Sequence, residues 1–448
     1  MTPQLVKGGL LQSQIQTWKE ITNNKVILNT IENGYSLEFC RNPTNKVFQN
    51  TQTNSAEELE IIVQEYLERE IIEESTEIFI SSPFYLLKQK EKVRPILDLR
   101  YLNNYLKYNH FQMESLKTAA TIMEKEIYFT KIDLKDAYHS ISIAKEHRKY
   151  LGFQVNNKSY RFRVVPFGLS TAPRLFTKIM REAIAPLREQ SIRMVIYLDG
   201  ILIMGNTIEE SIIATEKCIH HLSNLGFTIN LKKSVLKPST SINFLGMEIN
   251  SRTQKIPIPK EKVNKILKEL KTLLKMKYIK ARKLASIIGL LGSVSQGFGP
   301  TYIHQRFAQA NLQAYLKDKQ WGKEIPIWKC THAEANWWIT NLNKLNGKTV
   351  EQPSNSLELF TDASSYGWGF HYQEIQEQGM WNYWDTQQSS NYKELKTVLL
   401  ALRNMKKIPE KGTVLTIRSD NSTTVAQINN QSNPRNPYLL RITKKIWD

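Results

Sequence analysis

The stretch "VIYLDGILIM" at residues 195–204 consists of two apolar runs that are separated by an Asp-Gly pair. Because Asp-Gly between β-branched runs is a strong signal for a β-hairpin, we predict a hairpin with Asp199 and Gly200 at its turn. The aspartate has two interpretations. It serves the turn alone, or it is a metal ligand that needs a second carboxylate from elsewhere in the chain.

A candidate for the second carboxylate lies in "KIDLKDAYHSI" at 131–141, where Asp133 ends an apolar strand. Two carboxylates from separate strands are suited to two Mg²⁺ ions about 3.5–4 Å apart, which stabilise both the attacking and the leaving oxygen of a phosphoryl transfer. The alternative is a pair of unrelated aspartates at strand ends.

Composition and charge narrow the classes of protein. The chain has 448 residues, 41% hydrophobic residues and a formal net charge of +19. The length suggests about three domains. The positive charge favours a polyanionic partner such as nucleic acid, although a membrane-surface protein or a protein without such a partner also fits.

The cysteines and the lengths of the apolar runs indicate the cellular compartment of the protein. Cys40, Cys218 and Cys330 are odd in number and far apart, which matches neither a disulfide framework nor a zinc site. No run reaches the roughly 18 apolar residues of a membrane span, and the N-terminus lacks a signal-peptide pattern. We therefore expect a soluble intracellular protein, without a choice between cytoplasm and nucleus.

Helical and strand patterns alternate along the chain, which predicts an α+β order. A hairpin is predicted at 84–103, and amphipathic helices are predicted at 55–75, 173–187 and 209–226, with Gly226 ending the last. A lysine-rich helix pair fills 260–294, and its basic face is suited to a duplex backbone or simply to solvent. Strands at 354–372 open a separate domain.

Six motifs occur in the order found in the reverse transcriptases of retroelements, and the chain resembles that family. They are "VRPILDLRYLNNYL" (93–106), "KIDLKDAYHSI" (131–141), "VVPFGLSTAPRLF" (164–176), "YLDG" (197–200), "INLKKSVLKPSTSINFLGMEI" (229–249) and "LFTDASSYGWG" (359–369). The leader at 8–39, which begins "GGLLQSQIQTW", most resembles that of tyrosine-recombinase (DIRS-type) retrotransposons.

The resemblance implies roles for the polymerase motifs. Asp133 and Asp199 would hold the two metal ions, and Tyr138 would lie under the sugar and exclude a 2′-hydroxyl. Arg94 would pair with the triphosphate, Lys233 would approach the pyrophosphate, and Phe167 and Gly168 would flank the nucleotide. The primer end would be supported by Phe244, Leu245 and Gly246. The simpler alternatives are a core tyrosine, a surface arginine, an ordinary Pro-Phe-Gly turn, a solvated lysine and plain strand core.

The last section repeats the metal pattern of an RNase H domain, as the resemblance implies. Asp362 and Asp420 fall at strand ends and Glu394 falls within a helix, although each alone also fits a surface acid. The indole rings of this section are candidates for stacking on bases, but core packing is the simpler interpretation. They are Trp368, Trp381 and Trp384.

Two departures from the family affect the expected activities. Gly200 stands where the family has the second aspartate of Tyr-x-Asp-Asp, so the site has one negative charge fewer, and Asp136 is not assigned as its replacement. The segment "RITKKIWD" at 441–448 does not match the region of the fourth RNase H carboxylate. We therefore expect impaired RNase H activity. Two functions stay open for the polymerase part: an active polymerase, or an inactive remnant that still binds nucleic acid.

The predicted architecture is an α+β right-hand polymerase followed by a connection and a partial RNase H-like α/β domain. Its parts are a leader and helix (1–75), fingers and palm (76–255), thumb (256–300), connection (301–353) and an incomplete RNase H-like domain (354–448). The predicted function is RNA-directed DNA synthesis with Mg²⁺, or Mn²⁺, on a primed RNA or DNA template with dNTPs. No membrane partner is expected, and the oligomeric state is left open.

Overall fold

Helices and strands interleave through the chain, so the predicted α+β order is confirmed. The computed structural model describes residues 6–48, 56–89, 92–295, 301–316, 320–349, 356–405, 414–432 and 436–447. Contacts divide the chain into two units, Met1–Ile242 and Asn243–Asp448, and each is described by itself. The boundary lies before the predicted palm end at 255, so residues 244–246 belong to the second unit.

The first unit opens with helices and then alternates them with strands. Its helices are α1 (Leu10–Ser13), α2 (Ile15–Ile21), α3 (Lys25–Asn33), α4 (Ala56–Glu68), α5 (Arg100–Asn103), α6 (Leu116–Ile122), α7 (Ala172–Glu189) and α8 (Ile208–Asn224). Short 3₁₀ helices lie at Ala137–Ser140 and Lys145–Tyr150. The predicted proline in the first turn of α7 and the predicted glycine after α8 are both confirmed.

The strands of the first unit form three sheets. They are β1 (Lys46–Val47), β2 (Ile72–Glu74), β3 (Ile80–Ser81), β4 (Phe84–Gln89), β5 (Lys92–Leu97), β6 (Tyr128–Asp133), β7 (Gly152–Val155), β8 (Lys158–Phe162), β9 (Arg193–Tyr197), β10 (Gly200–Gly205) and β11 (Val235–Ser239). A five-stranded sheet has the order β1-β3-β7-β8-β2, and β4 pairs with β5 as the predicted hairpin. The central antiparallel sheet has the order β11-β6-β10-β9.

The N-terminal helices share one core with the central sheet and its helices. Trp18 of α2 is fully buried, and its indole Nε1 donates a hydrogen bond to the Leu225 carbonyl oxygen at 3.0 Å. At Gly226, φ is +92°, and a Cβ atom would lie 2.7 Å from the Leu10 carbonyl oxygen. The segment after α8 therefore needs glycine both for its backbone conformation and for the close approach of the N-terminal helices.

The second unit begins within strand β12 (Ser241–Phe244), which the boundary crosses. Its further strands are β13 (Met247–Asn250), β14 (Lys255–Ile256), β15 (Tyr278–Lys280), β16 (Glu324–Pro326), β17 (Lys348–Thr349), β18 (Ser356–Ala363), β19 (Gly367–Tyr372), β20 (Ile375–Met380) and β21 (Val414–Arg418). Its helices are α9 (Lys260–Leu274), α10 (Ala281–Gly292), α11 (Arg306–Tyr315), α12 (Lys329–Asn341), α13 (Tyr383–Thr386), α14 (Ser390–Asn404), α15 (Ser422–Asn429) and α16 (Pro437–Trp447).

A mixed sheet closes the second unit, with the order β20-β19-β18-β21. Strand β18 pairs antiparallel with β19 and parallel with β21, and helix α14 packs on β18 and β19. Leu359 and Phe370 are buried on the helix side, whereas Phe360 is 45% exposed. Within the described residues, none of the helices combines the length and the apolar character needed to cross a membrane.

The hydrogen bond of Trp18 predicts a measurable loss of stability. Trp18→Phe keeps an aromatic ring but removes the donor to the Leu225 carbonyl oxygen, so the free energy of unfolding should fall by about 1–3 kcal/mol. Urea unfolding of the whole chain followed by circular dichroism measures this. Trp321→Phe, at a ring that is 38% exposed, should change stability by no more than about 0.5 kcal/mol. Equal effects of the two variants would contradict the prediction.

Candidate active site and second carboxylate cluster

Asp133 and Asp199 lie at the same end of the central sheet. Asp133 is the last residue of β6 and stands directly opposite Gly200, the first residue of β10. The Leu134 N–H donates to the Asp199 carbonyl oxygen at 2.8 Å, which joins the end of β6 to the turn of the hairpin. The structure thus brings together the two aspartates that the sequence singled out.

The hairpin at 193–205 is confirmed, but the predicted position of its turn is wrong by one residue. The central turn residues are Leu198 and Asp199, and Gly200 already pairs with Tyr197 in the strands. Leu198 takes the left-handed conformation, with φ of 53°. The turn therefore does not depend on Gly200. Its register places position 200 on the same face of the sheet as Asp133.

The charge distribution at this end of the sheet favours a cation. One carboxylate oxygen of Asp133, Oδ1, is buried without a hydrogen-bond partner among the described residues, and the Lys233 ammonium is 3.9 Å away. That distance is too long for a hydrogen bond. Partial burial and the nearby charge of Asp133 raise the pKa of Asp199, against the opposing effect of its own backbone N–H and of Lys233. Lys233 itself is well exposed.

A serine that the sequence analysis did not single out fixes the backbone at Asp133. The Asp133 N–H donates to Ser234 Oγ at 3.0 Å, and the Asn230 N–H donates to the Asp133 carbonyl oxygen at 2.7 Å. Ser234 Oγ in turn donates to the Asn230 carbonyl oxygen at 2.8 Å. The motif "NLKKS" therefore holds the aspartate through its serine as well as placing Lys233 beside it.

Tyr138 lies near Asp199 and packs against two phenylalanine rings. Its ring centroid is 5.1 Å from that of Phe167 and 5.5 Å from that of Phe176. Burial raises the pKa of Tyr138 to about 12, and the charges of Asp199 and Tyr197 add to the effect. The structure thus groups the predicted sugar-facing tyrosine with the predicted nucleotide-facing phenylalanine, which is 53% exposed.

Asn103 holds the loop that carries Gly168. Its Nδ2 donates to the Gly168 carbonyl oxygen at 2.9 Å, and its Oδ1 accepts from the Ser170 N–H at 2.9 Å. Gly168 has φ of +98°, and a Cβ atom there would lie 3.3 Å from the Leu97 carbonyl oxygen. Asn103 belongs to a quoted motif, but a spacing pattern does not reveal which loop an amide side chain clamps.

Arg94 and the predicted primer-binding residues lie outside the central sheet. Arg94 is exposed on β5, opposite Leu87 in the two-stranded hairpin. Phe244 is buried at the end of β12, and Leu245 and Gly246 form the turn to β13 with φ of 50° and 75°. Two successive left-handed residues are typical of a type I′ turn. The predicted primer-binding motif is therefore a tight hairpin turn of the second unit.

The second unit contains a cluster of three carboxylates. Ligand oxygens of Asp362, Glu394 and Asp420 all lie within 4.8 Å of one another. Asp362 is near the end of β18, Asp420 follows the parallel neighbour β21, and Glu394 reaches them from α14. Burial raises the pKa of Glu394 to about 7, and the charges of Asp420 and Asp362 contribute further. Its Oε2 is buried without a hydrogen-bond partner in the described part of the chain.

The tryptophans near this cluster have different environments. Trp381 is 7% exposed, and its Nε1 donates to the Ser364 carbonyl oxygen at 3.0 Å, which makes it a core residue. Trp368 is half-buried and packs against Phe370 in the core of the sheet. Trp384 is 53% exposed. Core packing therefore accounts for the first two rings and leaves the third on the surface.

Comparisons with known proteins identify the central part of the chain. Residues 86–249 match the family model described as reverse transcriptase (RNA-dependent DNA polymerase). The chain is 29% identical over 188 residues to the genome polyprotein of Petunia vein clearing virus (isolate Shepherd), which covers 41% of this chain and 8% of that protein.

Two further relatives match most of the chain. The putative enzymatic polyprotein of Cassava vein mosaic virus is 26% identical over 407 residues, covering 86% of this chain and 60% of that protein. The Tf2-3 transposon polyprotein of Schizosaccharomyces pombe (strain 972 / ATCC 24843) is 26% identical over 400 residues, covering 85% and 28%. The chain therefore spans 60% or less of the length of these curated relatives.

Solved structures show the same fold at low sequence identity. A foamy viral protease-reverse transcriptase (dRH) in complex with double-stranded DNA has a TM-score of 0.61 at 16% identity, covering 100% of this chain and 81% of that one. The foamy viral protein with an RNA/DNA hybrid has a TM-score of 0.60 at 14% identity, covering 100% and 63%. The predicted polymerase fold is confirmed, and residues 86–249 form a reverse transcriptase domain of the kind found in retroelement and viral polyproteins.

Proposed function

We propose that the chain is an RNA-directed DNA polymerase that extends a primer 3′-hydroxyl with dNTPs on an RNA or DNA template. The observation that carries the proposal is the meeting of Asp133 and Asp199 at one end of the central sheet, beside Tyr138. The family of residues 86–249 and the fold support it. The net charge of +19 is suited to a nucleic-acid partner.

The carboxylates fit divalent cations such as Mg²⁺ or Mn²⁺. Asp133 and Asp199 would hold them, because both offer carboxylate oxygens and Asp133 Oδ1 lacks a hydrogen-bond partner within the described residues. Bound there, the cations supply the charge neutralisation and nucleophile activation of phosphoryl transfer. Tyr138 would lie under the sugar and exclude a 2′-hydroxyl by its bulk, while Phe167 and Gly168 flank the nucleotide.

Further residues have proposed roles in binding the substrates. Arg94 would bind the triphosphate with its planar guanidinium group, and Lys233 would approach the pyrophosphate as it leaves. The turn formed by Phe244, Leu245 and Gly246 would support the primer end. The leader at 8–39 supports an origin in a DIRS-type retroelement, and that assignment depends on this leader alone.

Gly200 favours a second candidate function, a nucleic-acid-binding protein that has lost its polymerase activity. A hydrogen atom replaces the second carboxylate opposite Asp133. Loss of a residue that holds a metal ligand in place, without touching the metal itself, typically costs about 10–100-fold in activity or metal affinity. Loss of a direct ligand should therefore cost at least as much.

Primer extension distinguishes the two functions. We expect Gly200→Asp to raise the rate of extension on an RNA template by about 10–100-fold, because position 200 shares a sheet face with Asp133. Asp133→Asn should abolish extension, and Glu209→Gln, at an exposed acid of α8, should leave it unchanged. The assay uses Mg²⁺ and then Mn²⁺.

Each outcome of that assay has a definite meaning. Extension by the unaltered chain supports the polymerase and makes Gly200 a tolerated residue. Extension by Gly200→Asp alone supports the binding protein. Extension that survives Asp133→Asn would contradict the assignment of the catalytic aspartates.

We also propose that Asp362, Glu394 and Asp420 bind a divalent cation and give the last section the metal centre of an RNase H-like nuclease. The supporting observation is the closeness of the three carboxylates. Three like charges at this distance repel one another unless a cation or a proton intervenes. The raised pKa of Glu394 reflects its burial first and this repulsion second.

The pKa of Glu394 predicts how cation binding depends on pH. A carboxyl group with a raised pKa in the folded state stabilises the metal-free fold at low pH, and this contribution is lost as pH rises towards 7. Because the cation needs the ionised form, its apparent affinity should be about tenfold higher at pH 8 than at pH 6.

Thermal unfolding with added Mn²⁺ measures this effect. The rise in Tm should be larger at pH 8 than at pH 6, and Asp420→Asn should remove most of it. Glu358→Gln, an acid of the same strand as Asp362, should retain the full rise. A rise in Tm that is the same at pH 6 and pH 8, or that persists in Asp420→Asn, would disprove the proposed site.

A further inference from the structure

Arg69 is a buried cation close to the loop that carries the first aspartate motif. It follows α4, and its side chain is 9% exposed. Its guanidinium group donates through Nε to the Val6 carbonyl oxygen at 2.9 Å, through Nη1 to Glu65 at 2.9 Å, and through Nη2 to Asp136. A guanidinium fork with three fixed acceptors has little freedom to move, so it holds what it binds.

Asp136 is the residue through which Arg69 reaches the candidate active site. Asp136 has φ of 48°, a left-handed conformation that is costly for a residue other than glycine. It immediately precedes the 3₁₀ helix that carries Tyr138. The loop is held at its start by the bond of the Leu134 N–H to Asp199, and near its middle by Arg69.

The N-terminal segment binds both Arg69 and the same loop. The Gly8 N–H donates to the Arg69 carbonyl oxygen at 2.7 Å, and the Gly9 N–H donates to the His139 carbonyl oxygen at 2.8 Å. A Cβ atom on Gly8 would lie 2.9 Å from a methyl carbon of Val164, so the segment fits only with a small residue there. Arg69 and this segment lie outside the matched range 86–249.

We propose that Arg69 is a positioning residue of the nucleotide site, which it shapes by fixing Asp136 and therefore the ring of Tyr138. This inference depends on the proposed polymerase function. Without Arg69, the partly buried Asp136 carboxylate loses its partner, and the left-handed backbone at Asp136 is free to relax. The Tyr138 ring then shifts relative to Phe167, which changes the space left for the sugar of the incoming nucleotide.

The kinetic test compares Arg69→Gln with Arg161→Gln. Arg161 is a matched control, because its side chain is 11% exposed and pairs with Glu73 and Glu77, at strand β8. The background is the unaltered chain, or Gly200→Asp if only that chain extends. Arg69→Gln should raise the KM for dNTP about tenfold or more with a smaller change in kcat, because small misplacements of a bound group have large effects.

Sugar selectivity gives a second readout that a purely structural role would not move. Tyr138→Val should raise the use of rNTP relative to dNTP, because it removes the bulky ring. Arg69→Gln and Asp136→Asn should raise this ratio as well, whereas Arg161→Gln should leave it unchanged. The combined Arg69→Gln and Asp136→Asn variant should be no worse than the more affected single variant, because both remove the same contact. Unchanged KM and selectivity in Arg69→Gln would overturn the inference.

Hydrogen exchange separates this inference from the proposed function. Amides of residues 134–140 should exchange faster in Arg69→Gln, at a temperature where both arginine variants are folded, and should be unaffected in Arg161→Gln. Unchanged exchange would overturn the positioning role whether or not the chain extends a primer. Faster exchange in a chain that never extends, even as Gly200→Asp, would uphold the positioning role and reject the polymerase.

Discussion

The register between β6 and β10 is the constraint on which the candidate active site depends. Asp133 stands opposite Gly200, and the side-chain period of a strand is two residues. A slip of one residue would therefore turn Asp133 to the other face of the sheet and separate it from Asp199. Both faces of β10 are buried, with Ile201 and Ile203 on one face and Leu202 on the other. The two-residue turn at Leu198 and Asp199 sets the register of β10 against β9, and the bond of the Leu134 N–H to the Asp199 carbonyl oxygen holds β6 against the same turn.

Two carboxylate clusters of the chain use the same structural device and differ in charge. In the first unit, two aspartates meet at adjacent strand ends with a lysine ammonium 3.9 Å from one of them. In the second unit, three carboxylates converge from two parallel strands and a helix. A third negative charge accounts for part of the raised pKa of Glu394, whereas the hydrogen atom of Gly200 leaves the first cluster with less repulsion and a smaller demand for cations.

The sequence predicted those features that depend on short-range pattern. The hairpin at 193–205, the helix that begins near Pro173 and the strand that ends at Asp133 all follow from apolar periodicity and turn residues. The position of the turn did not follow, because an Asp-Gly pair favours the centre of a turn whereas the pairing of Tyr197 with Gly200 moved it one residue earlier. Strand pairing within the hairpin outweighed the turn preference of the Asp-Gly pair, and Leu198 takes a left-handed conformation.

Residues that hold the site from a distance were outside the reach of sequence patterns. Asn103 clamps Gly168 across 65 positions, and Arg69 binds Asp136 across 67. A single arginine or asparagine has no periodicity, so nothing in one sequence separates such a clamp from an ordinary surface side chain. The three carboxylates of the second unit were predicted, by contrast, through the resemblance of their motifs to an RNase H domain, because each alone also fits a surface acid.

The folded unit that holds the candidate active site extends beyond the segment that matches the reverse transcriptase family. Trp18 donates to the Leu225 carbonyl oxygen, and the Gly9 N–H donates to the His139 carbonyl oxygen. Both bonds join the N-terminal 20 residues to segments that lie within 86–249, and His139 lies inside the motif of Asp133. Residues 86–249 alone would expose the core that Trp18 fills and would leave the Asp136 carboxylate without the Arg69 guanidinium group. For this fold the minimal unit must therefore include the N-terminal helices and Arg69 as well as the residues that carry the chemistry.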